Sequence, residues 1–114
     1  MADDLLRHFF GGFVRMHLLY HASKDWIWGV EMIEELARHG YKLSPGTLYP
    51  ILHQLEADGY LVSESVVVSG KRRRNYRITA AGQELLNNAR AKLRELVSEI
   101  LEDCDAMEAA KREA

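Results

Sequence analysis

One segment near the middle of the chain, residues 43–61, constrains the fold more than any other part of the sequence. Ser44 suits the N-cap of a helix, and Pro45 suits the first helical position, where the missing N–H of proline removes no hydrogen bond. Gly59 suits the left-handed residue that ends a helix. Residues 43–61 are therefore predicted to form a short helix with one buried face. The apolar residues at the spacing of that face are Leu48, Ile51, Leu52 and Leu55.

The opposite face of this helix is polar but nearly uncharged. It carries the hydroxyl of Thr47, the phenol of Tyr49, the imidazole of His53 and the amide of Gln54, which are groups suited to hydrogen bonding with another molecule. Pro50 lies among them, and inside a helix a proline removes one backbone hydrogen bond and clashes with the preceding turn. The helix is therefore predicted either to begin near Thr47 or to be kinked at Pro50.

Charge is distributed unevenly along the chain, although the net charge is only −2. Residues 69–77 contain five bases and no acid, and residues 95–113 contain seven acids and two bases. A local basic patch, rather than the total charge, is the electrostatic footprint of a nucleic-acid binder. The total argues against a protein that coats nucleic acid or membranes by bulk charge, whereas the basic segment is a candidate contact. Its bases are Lys71, Arg72, Arg73, Arg74 and Arg77.

The rest of the 114-residue chain is predicted to supply three further helices and one β-hairpin. Helical spacing of apolar residues indicates a helix over residues 4–22 and a second helix that ends near residue 40. Alternating and β-branched residues indicate a hairpin with a basic tip over residues 61–78. Thr79 is the predicted cap of a last helix over about residues 80–110. The predicted fold class is mostly α with a small β-hairpin wing, in the order of a winged helix-turn-helix.

The last predicted helix carries an apolar stripe longer than a domain of this size can cover. At 1.5 Å per residue, a helix over residues 80–110 is roughly 45 Å long. An apolar stripe without an intramolecular partner points to a symmetric second copy of the chain; the alternative is a frayed tail beyond residue 105. Cys104 is the only cysteine, so no internal disulfide can form, and it is most simply a small core residue. The predicted dimerisation residues are Leu86, Leu93, Leu96, Val97, Ile100 and Cys104.

His17 and His21 lie four residues apart on the first predicted helix, a spacing that a metal site can use. No glutamate follows His17 as in the zinc protease motif, so packed or interfacial histidines are the favoured interpretation. The sequence shows no nucleophile paired with a base, no paired carboxylates in a plausible cleft and no phosphate-binding loop. We therefore expect neither an enzyme, nor a bound metal, nor a cofactor.

The first residues of the chain do not have the pattern of a targeting segment. Asp3 and Asp4 are acidic, and no long apolar run follows them, so a signal peptide is not expected. No stretch of the sequence approaches the length needed to span a bilayer. The expected location is the cytoplasm.

Several separated motifs resemble those of the PadR family of transcriptional regulators, and they occur in that family's order over about residues 10–87. Residues 43–61 resemble its recognition-helix signature. Residues 29–33 resemble its Gly-Tyr-Glu-Ile segment, with Val30 in place of the usual aromatic residue. Residues 72–82 resemble its wing and the start of its last helix. The short C-terminal region resembles the subgroup with a single dimerisation helix.

The resemblance implies a DNA-binding winged helix-turn-helix over residues 1–79 and a dimerisation helix over residues 80–114. In this family the recognition helix enters the major groove and the wing touches the flanking backbone, so a homodimer would bind a pseudo-palindromic operator on double-stranded DNA. Two alternatives remain: the arginines form only a solvated hairpin tip, or Tyr49 packs on its own helix. The implied DNA contacts are Ser44 and Thr47 near phosphates, Tyr49 and His53 in the groove, and Lys71, Arg72, Arg73 and Arg74 on phosphates or in the minor groove.

The resemblance also implies regulation, because members are often repressors released by a small molecule such as a phenolic acid or an aromatic drug. The drug-binding subgroup stacks its ligand on a tryptophan of the last helix, whereas residues 80–114 contain no aromatic residue. A small aromatic effector is therefore expected between the first helix and the dimer interface, unless the rings there are ordinary core. The candidate pocket residues are Phe9, Phe13, Tyr20, Trp26 and Trp28. The alternative function is a winged-helix protein–protein interaction module without DNA binding.

Overall fold

The computed structural model describes the backbone of residues 2–113 and the side chains of residues 4–103 and 105–113. Three helices, a two-stranded antiparallel hairpin and a long last helix follow one another along the chain. This order confirms the predicted fold class, a winged helix-turn-helix followed by a long C-terminal helix. The elements are α1 (Ala2–Lys24), α2 (Gly29–Arg38), α3 (Pro45–Ala57), β1 (Leu61–Val68), β2 (Lys71–Ile78) and α4 (Ala80–Glu113).

Helix α3 begins at Pro45 and continues through Pro50. Ser44 is its N-cap, and the Ser44 carbonyl accepts a hydrogen bond of 3.0 Å from the Thr47 N–H. The predicted alternative of a start near Thr47 is therefore wrong. The missing N–H of Pro50 leaves the carbonyl of Gly46, four residues earlier, without its usual helical donor. Gly46 is exposed, so water can supply that hydrogen bond.

Both helices of the helix-turn-helix end at a glycine in the left-handed region. Gly40 has a φ of 89° after α2, and Gly59 has a φ of 86° after α3. The N–H of Tyr60 then donates to the carbonyl of Leu55 at 2.9 Å, which closes the last turn of α3. These stops allow α2 and α3 to pack against each other across a short connection.

The hairpin has a tight two-residue turn. β1 and β2 pair in an antiparallel register in which Leu61 lies opposite Ile78 at the base and Val68 lies opposite Lys71 at the tip. Ser69 and Gly70 form the turn, with φ angles of 53° and 77°. Positive φ at both central positions is the pattern of a type I′ turn, whose twist matches that of the strands. Four of the five bases of β2, Lys71 to Arg74, therefore occupy the tip half of a regular, twisted ribbon.

Ile27, two positions before α2, pairs with the hairpin through an isolated antiparallel bridge. The Ile27 N–H donates to the Tyr76 carbonyl at 2.8 Å, and the Tyr76 N–H donates to the Ile27 carbonyl at 2.7 Å. Both side chains are buried in the core. Side chains alternate between the two faces of an extended segment. Trp26 and Trp28, on either side of Ile27, therefore lie against the opposite face of the hairpin.

The hydrophobic core lies where the helices meet the hairpin. Every helix and both strands contribute at least one buried apolar side chain to this single cluster. α1 packs against β2 and α4, α2 packs against α3, and α3 packs against β1. The largest fully buried side chains are Leu18, Ile27, Met32, Leu36, Leu48, Leu52, Tyr76 and Leu86.

The first turns of α4 belong to this core, which corrects one sequence-based prediction. Leu86, a predicted dimerisation residue, is only 2% exposed and packs inside its own protomer. The reason is that the start of α4 is joined to the end of α3. The Thr79 hydroxyl donates to the Gly59 carbonyl at 2.6 Å and accepts from the Gly82 N–H at 3.0 Å. A side chain at Gly82 would overlap the Tyr60 carbonyl, so the two backbones touch there.

Beyond these turns, α4 extends away from the core. Every residue from 91 to 103 is exposed, and the backbone is helical as far as Glu113. The side chain of Cys104 lies outside the described residues. Helix α4 has 34 residues, a length of about 51 Å, and the chain as described measures 65 × 28 × 28 Å. Within residues 2–113, no helix combines the length and the apolar character that crossing a membrane requires.

Candidate nucleic-acid interface

The polar face that the sequence predicts on α3 is exposed. Thr47, His53 and Gln54 face solvent, and so does Ser44 at the start of the helix. The Ser44 hydroxyl lies 3.3 Å from the Thr47 hydroxyl and caps no backbone N–H of α3. Unpaired N–H groups and the helix dipole give the beginning of a helix a partial positive charge. This end of α3 is therefore suited to an anionic group such as a phosphate.

The Tyr49 side chain reaches from α3 to α2 and packs against the first residue of α2. Gly29 is buried, and a methyl group in place of its hydrogen would overlap the Tyr49 ring. The ring is half-buried, and its centroid lies 6.4 Å from that of His53. Tyr49 therefore does not pack only on its own helix. The sequence signal for this contact is the glycine that stands between Trp28 and Val30, where any other residue would displace the ring.

The four bases at the tip of the wing differ in their surroundings. Lys71 and Arg72 are exposed, and among the described residues neither makes an ion pair or a side-chain hydrogen bond. The guanidinium of Arg73 lies 3.8 Å from the centroid of the Trp28 ring, and its Nε donates to Asn75 Oδ1 at 3.1 Å. Arg73 is therefore held in place, whereas no such contact holds Lys71 or Arg72 in the described part of the chain.

Arg74 belongs to a hydrogen-bonded chain that reaches α3. One Nη of Arg74 donates to the Ser63 hydroxyl at 2.9 Å, and that hydroxyl donates to Glu56 Oε2 at 2.6 Å. Ser63 lies on β1 and Glu56 lies in the last turns of α3. These two hydrogen bonds therefore couple the orientation of one wing arginine to the end of α3.

A groove runs between α3 and the wing, and we call it the helix–wing groove. It has a volume of about 330 Å³ and contains four bases but no acid among its lining residues. The first residues of α2 form part of its wall. Tyr49 and the four wing bases are thus brought together, whereas Ser44, Thr47 and His53 lie outside the groove. The lining residues are Trp28, Gly29, Val30, Tyr49, Val68, Lys71, Arg72, Arg73 and Arg74.

Tyr76 anchors β2 beneath this surface. The side chain is fully buried, and its hydroxyl has no hydrogen-bond partner among the described residues. Burial raises the pKa of the Tyr76 phenol, and the negative charge of Glu56 raises it further. Tyr76 therefore remains a neutral core residue, and the phenol available at the surface is that of Tyr49.

The five candidate effector residues lie in three separate places on the protomer. Phe9 and Phe13 neighbour each other on α1, with ring centroids 6.2 Å apart. Tyr20 lies further along α1 and faces α4. Trp26 and Trp28 lie against the hairpin, below arginine side chains of β2. Within one protomer these rings form no common pocket in the described part of the chain.

An apolar pocket that the sequence did not indicate lies between α1 and the loop that joins α2 to α3. Its volume is about 450 Å³, and its wall is mainly apolar. Thr47 belongs to its lining, so the pocket reaches the first turn of α3. Only the fold brings these residues together, because they come from distant parts of the sequence. The other lining residues are Arg7, Phe10, Gly11, Val14, Gly40, Tyr41, Lys42, Leu43 and Ile51.

Three histidines surround one carboxylate where α1 meets the end of α2. The His17 ring lies 4.8 Å from the His39 ring and 5.8 Å from the His21 ring, measured between centroids. Glu35 Oε1 lies 3.5 Å from His21 Nε2 and 3.2 Å from His39 Nε2, and Arg38 pairs with the other oxygen of Glu35. Among the described side chains, no group of three or more His, Cys, Asp or Glu is arranged to hold a metal ion.

The pKa values of two members of this cluster are lowered, one mainly by burial and the other mainly by a hydrogen bond. Burial lowers the pKa of the His17 imidazole, and the nearby His39 and His21 lower it further. Glu35 is held in its charged form, because the hydrogen bond from Arg38 lowers the pKa of its carboxyl. His17 is therefore a packed neutral ring, and Nδ1 of that ring has no hydrogen-bond partner in the described part of the chain.

Comparison with known proteins places this architecture in one family. The model of the transcriptional regulator PadR-like family matches residues 18–88. The transcriptional regulator Rv3488 of Mycobacterium tuberculosis is 52% identical over 96 residues, which cover 84% of this chain and 90% of that protein.

Solved structures give the same result. A PadR-like transcription factor from Bacteroides fragilis is 25% identical with a TM-score of 0.75, covering 88% of this chain and 98% of that one. A PadR family transcriptional regulator from Eggerthella lenta is 27% identical with a TM-score of 0.74, covering 89% of each chain. With its helix-turn-helix, its wing and these relatives, the chain belongs to the PadR-like family of transcriptional regulators and is a regulator rather than an enzyme.

Proposed function

We propose that this regulator binds double-stranded DNA sequence-specifically, with α3 in the major groove and the wing on the flanking backbone. The helix–wing groove is the observation that carries this proposal. It places the Tyr49 ring and four bases on one surface, with no acid among the lining residues. A surface that combines hydrogen-bonding groups with local positive charge suits DNA, where base edges give specificity and phosphates give affinity.

Within this proposal, the residues of the surface divide into three groups. Tyr49 and His53 contact base edges, because their rings lie one turn apart on the outer side of α3. Ser44 and Thr47 lie near a phosphate at the start of the helix. The wing bases neutralise phosphates or enter the minor groove, and they are Lys71, Arg72, Arg73 and Arg74.

The active form that we propose is a homodimer. Leu93, Leu96, Val97 and Ile100 on α4 are each 40–56% exposed, and the described residues of the protomer provide nothing to cover them. Contiguous exposed apolar surface of this kind marks an interaction site in soluble proteins. A symmetric second copy presents an identical stripe, so residues 80–114 serve as the dimerisation helix and residues 1–79 as the DNA-binding unit.

The proposal further includes repression of transcription in the cytoplasm and its relief by a small aromatic effector. Phe9 and Phe13 support an effector site at the dimer interface, because both rings are exposed on α1 in one protomer. A second copy that packs along α4 and α1 would cover these rings and could enclose a pocket with them. Repression and relief are the behaviour that the family resemblance implies for a chain of this architecture.

A gel-shift experiment tests DNA binding directly. Purified protein is titrated against a duplex taken from upstream of its own coding sequence and against a mixed-sequence duplex of equal length. We expect the upstream duplex to be retarded at a protein concentration at least tenfold lower, with both affinities falling as salt rises. No retardation of either duplex at low salt would overturn the proposal and favour a protein–protein interaction module.

A further inference from the structure

We propose that Trp28 is a positioning residue of the wing, which holds the Arg73 guanidinium in the orientation used on DNA. This inference rests on the proposed DNA binding and deepens it. It also changes the role of Trp28 from a candidate effector residue to part of the DNA-binding surface.

The backbone brings Trp28 to the wing. Ile27 is fixed to Tyr76 by two hydrogen bonds of 2.7 and 2.8 Å, so the segment around Ile27 runs beside β2 as a short extra strand. Alternation along β2 places Arg73 and Asn75 on the face opposite to the buried Tyr76 ring. Trp28 lies on that same face, one residue after Ile27. The position of the indole is therefore set by core contacts and not by a flexible loop.

Two contacts restrict the Arg73 side chain. Its guanidinium lies 3.8 Å from the centroid of the Trp28 ring, which is stacking distance for a cation–π contact. Its Nε donates to Asn75 Oδ1 at 3.1 Å, and Asn75 is only 8% exposed, so the acceptor itself is held by the surrounding protein. Together they fix both the plane of the guanidinium and its rotation within that plane.

The free edge of the guanidinium remains available to DNA. Among the described residues, the hydrogen bonds of Arg73 involve only Nε, so the two Nη groups keep their donors. A guanidinium stacked on an aromatic face can still form parallel hydrogen bonds to a phosphate through its edge. Arg73 also lines the helix–wing groove beside Tyr49. The stacked arginine is thus aimed into the groove where we place the DNA backbone.

Holding Arg73 in advance improves binding because it reduces the entropy lost in the complex. An unrestrained arginine loses rotamer freedom when it contacts a phosphate, and a preorganised arginine has already lost it. Lys71 and Arg72 lack such restraint in the described structure and contribute mainly charge. Replacing the Trp28 ring should therefore weaken DNA binding about fivefold to thirtyfold in the proposed dimer, because two cation–π contacts, each worth about twofold to fivefold, are lost.

Trp26 provides a matched control within the same segment. It is the same residue type, it also lies against the hairpin, and its ring is 5.9 Å from the Arg77 guanidinium. That distance is at the limit for a cation–π contact. Trp26 and Arg77 lie towards the base of the wing and do not line the helix–wing groove. Trp26→Leu should therefore change DNA affinity by less than about twofold.

The experiment is a double-mutant cycle on full-length protein. Affinities for the upstream duplex and a mixed-sequence duplex are measured by fluorescence anisotropy for the wild type, Trp28→Leu, Arg73→Ala, the double variant and Trp26→Leu. We expect Trp28→Leu to weaken binding to both duplexes, and to add little once Arg73 is alanine, because the two residues act as one unit. Trp28→Phe keeps a ring, so it should recover part of the loss and guards against misfolding of the leucine variant.

The salt dependence separates positioning from loss of charge. Trp28→Leu leaves every base in place, so the slope of log affinity against log salt should stay near the wild-type value, whereas Arg73→Ala should lower it by about two for a dimer. Additive losses in the cycle, or wild-type affinity for Trp28→Leu, would overturn the role of Trp28 while the proposed function stands. Failure of the wild type to bind either duplex would overturn both.

Discussion

The two exposed surfaces of the protomer are built in opposite ways. On the surface formed by α3 and the wing, polar and basic groups face solvent. Contacts within the same protomer hold several of them in place: Tyr49 packs against Gly29, and Arg73 stacks on Trp28. On the distal half of α4 the exposed groups are apolar. Leu93 is 44% exposed and Ile100 is 56% exposed, and their neighbours in the described structure belong to the same helix.

This difference indicates which surface is fully formed within one protomer and which needs a second copy of the chain. Polar groups that are held in place can stay exposed to water, so they need no second copy of the chain and are ready to bind a ligand. Exposed apolar area gains about 25 cal/mol for each Å² that is removed from water, so it favours association. In the proposed complex, the surface at α3 and the wing is therefore already formed before DNA binds, whereas α4 depends on a second copy in the proposed dimer.

The largest effect should come from charges placed on the apolar stripe of α4. Leu93→Glu with Ile100→Glu buries two carboxylates in the proposed interface, so we expect monomers by light scattering. Operator affinity should fall about a hundredfold or more, because two linked half-site contacts become independent. Ala91→Glu with Ser98→Glu is the matched control, since it adds the same charges at the same spacing on the opposite face of α4. A dimer that survives the first pair would refute this role for α4.

The next effect tests the charge of the wing. Changing Arg72, Arg73 and Arg74 together to alanine should weaken binding to all duplexes and lower the salt slope by up to about six for a dimer, if each arginine meets a phosphate. The control removes three exposed bases of α4 instead, through Lys92→Ala, Arg94→Ala and Lys111→Ala. An unchanged salt slope in the wing variant would contradict the assignment.

A single methyl group should disturb the preformed surface without changing its charge. Gly29→Ala places a Cβ against the Tyr49 ring, so we expect a loss of about 1–3 kcal/mol in the free energy of unfolding, measured with urea. DNA specificity should fall as the ring moves. Gly12→Ala on α1 is the control, because no atom lies within 4 Å of its new Cβ, and it should stabilise the protein by about 0.5–1 kcal/mol. Equal effects of the two changes would contradict the packing of Tyr49.

The smallest effect concerns the histidine cluster at the junction of α1 and α2. Because the pKa of His17 is lowered on folding, the unfolded chain binds its proton first, and stability is lost as pH falls below about 6.5 towards the folded pKa. His17→Phe should make Tm fall less between pH 7 and pH 5, by on the order of a few degrees. Glu35, whose pKa is also lowered, loses its contribution only at more acidic pH.

An exposed histidine of the same helix supplies the control for this measurement. His8→Phe changes the same residue type on α1 but lies outside the cluster. The two pH profiles therefore differ only through the burial of His17 and its neighbours. If His8→Phe flattened the profile as much as His17→Phe, the cluster would not be the cause.

The parts of the fold that depend on local sequence were predictable. The turns that end helices and join strands contain residues with positive φ, namely Gly40, Gly59, Ser69 and Gly70. Glycine adopts positive φ without steric cost, so its presence at the end of a helical or strand pattern predicts such a turn. Pro50 was harder. Its cost inside a helix suggested a late start or a kink, but the Gly46 carbonyl is exposed, so water can supply the hydrogen bond that Pro50 cannot donate.

The parts that depend on distant residues could not be predicted from spacing. Helical periodicity places Leu86 on the same stripe as Leu93, yet the contact of Gly82 with Tyr60 holds the first turns of α4 against the core. Likewise, no pattern in the sequence pairs Trp28 with Arg73, because their contact follows from the register of the bridge between Ile27 and Tyr76. Such contacts need a fold before they can be seen.

The junction between α3 and α4 makes the last helix a lever for the DNA-binding surface. Thr79 donates its backbone N–H to the Tyr60 carbonyl at 3.1 Å and its hydroxyl hydrogen to the Gly59 carbonyl, so α4 cannot turn without carrying the end of α3 with it. If α4 pivots about its midpoint by about ten degrees, the attached end of α3, half the length of α4 away, moves by about 4 Å. This displacement is more than one base-pair step. In the proposed dimer, the crossing angle of two α4 helices would thus set which operator spacing the protein accepts.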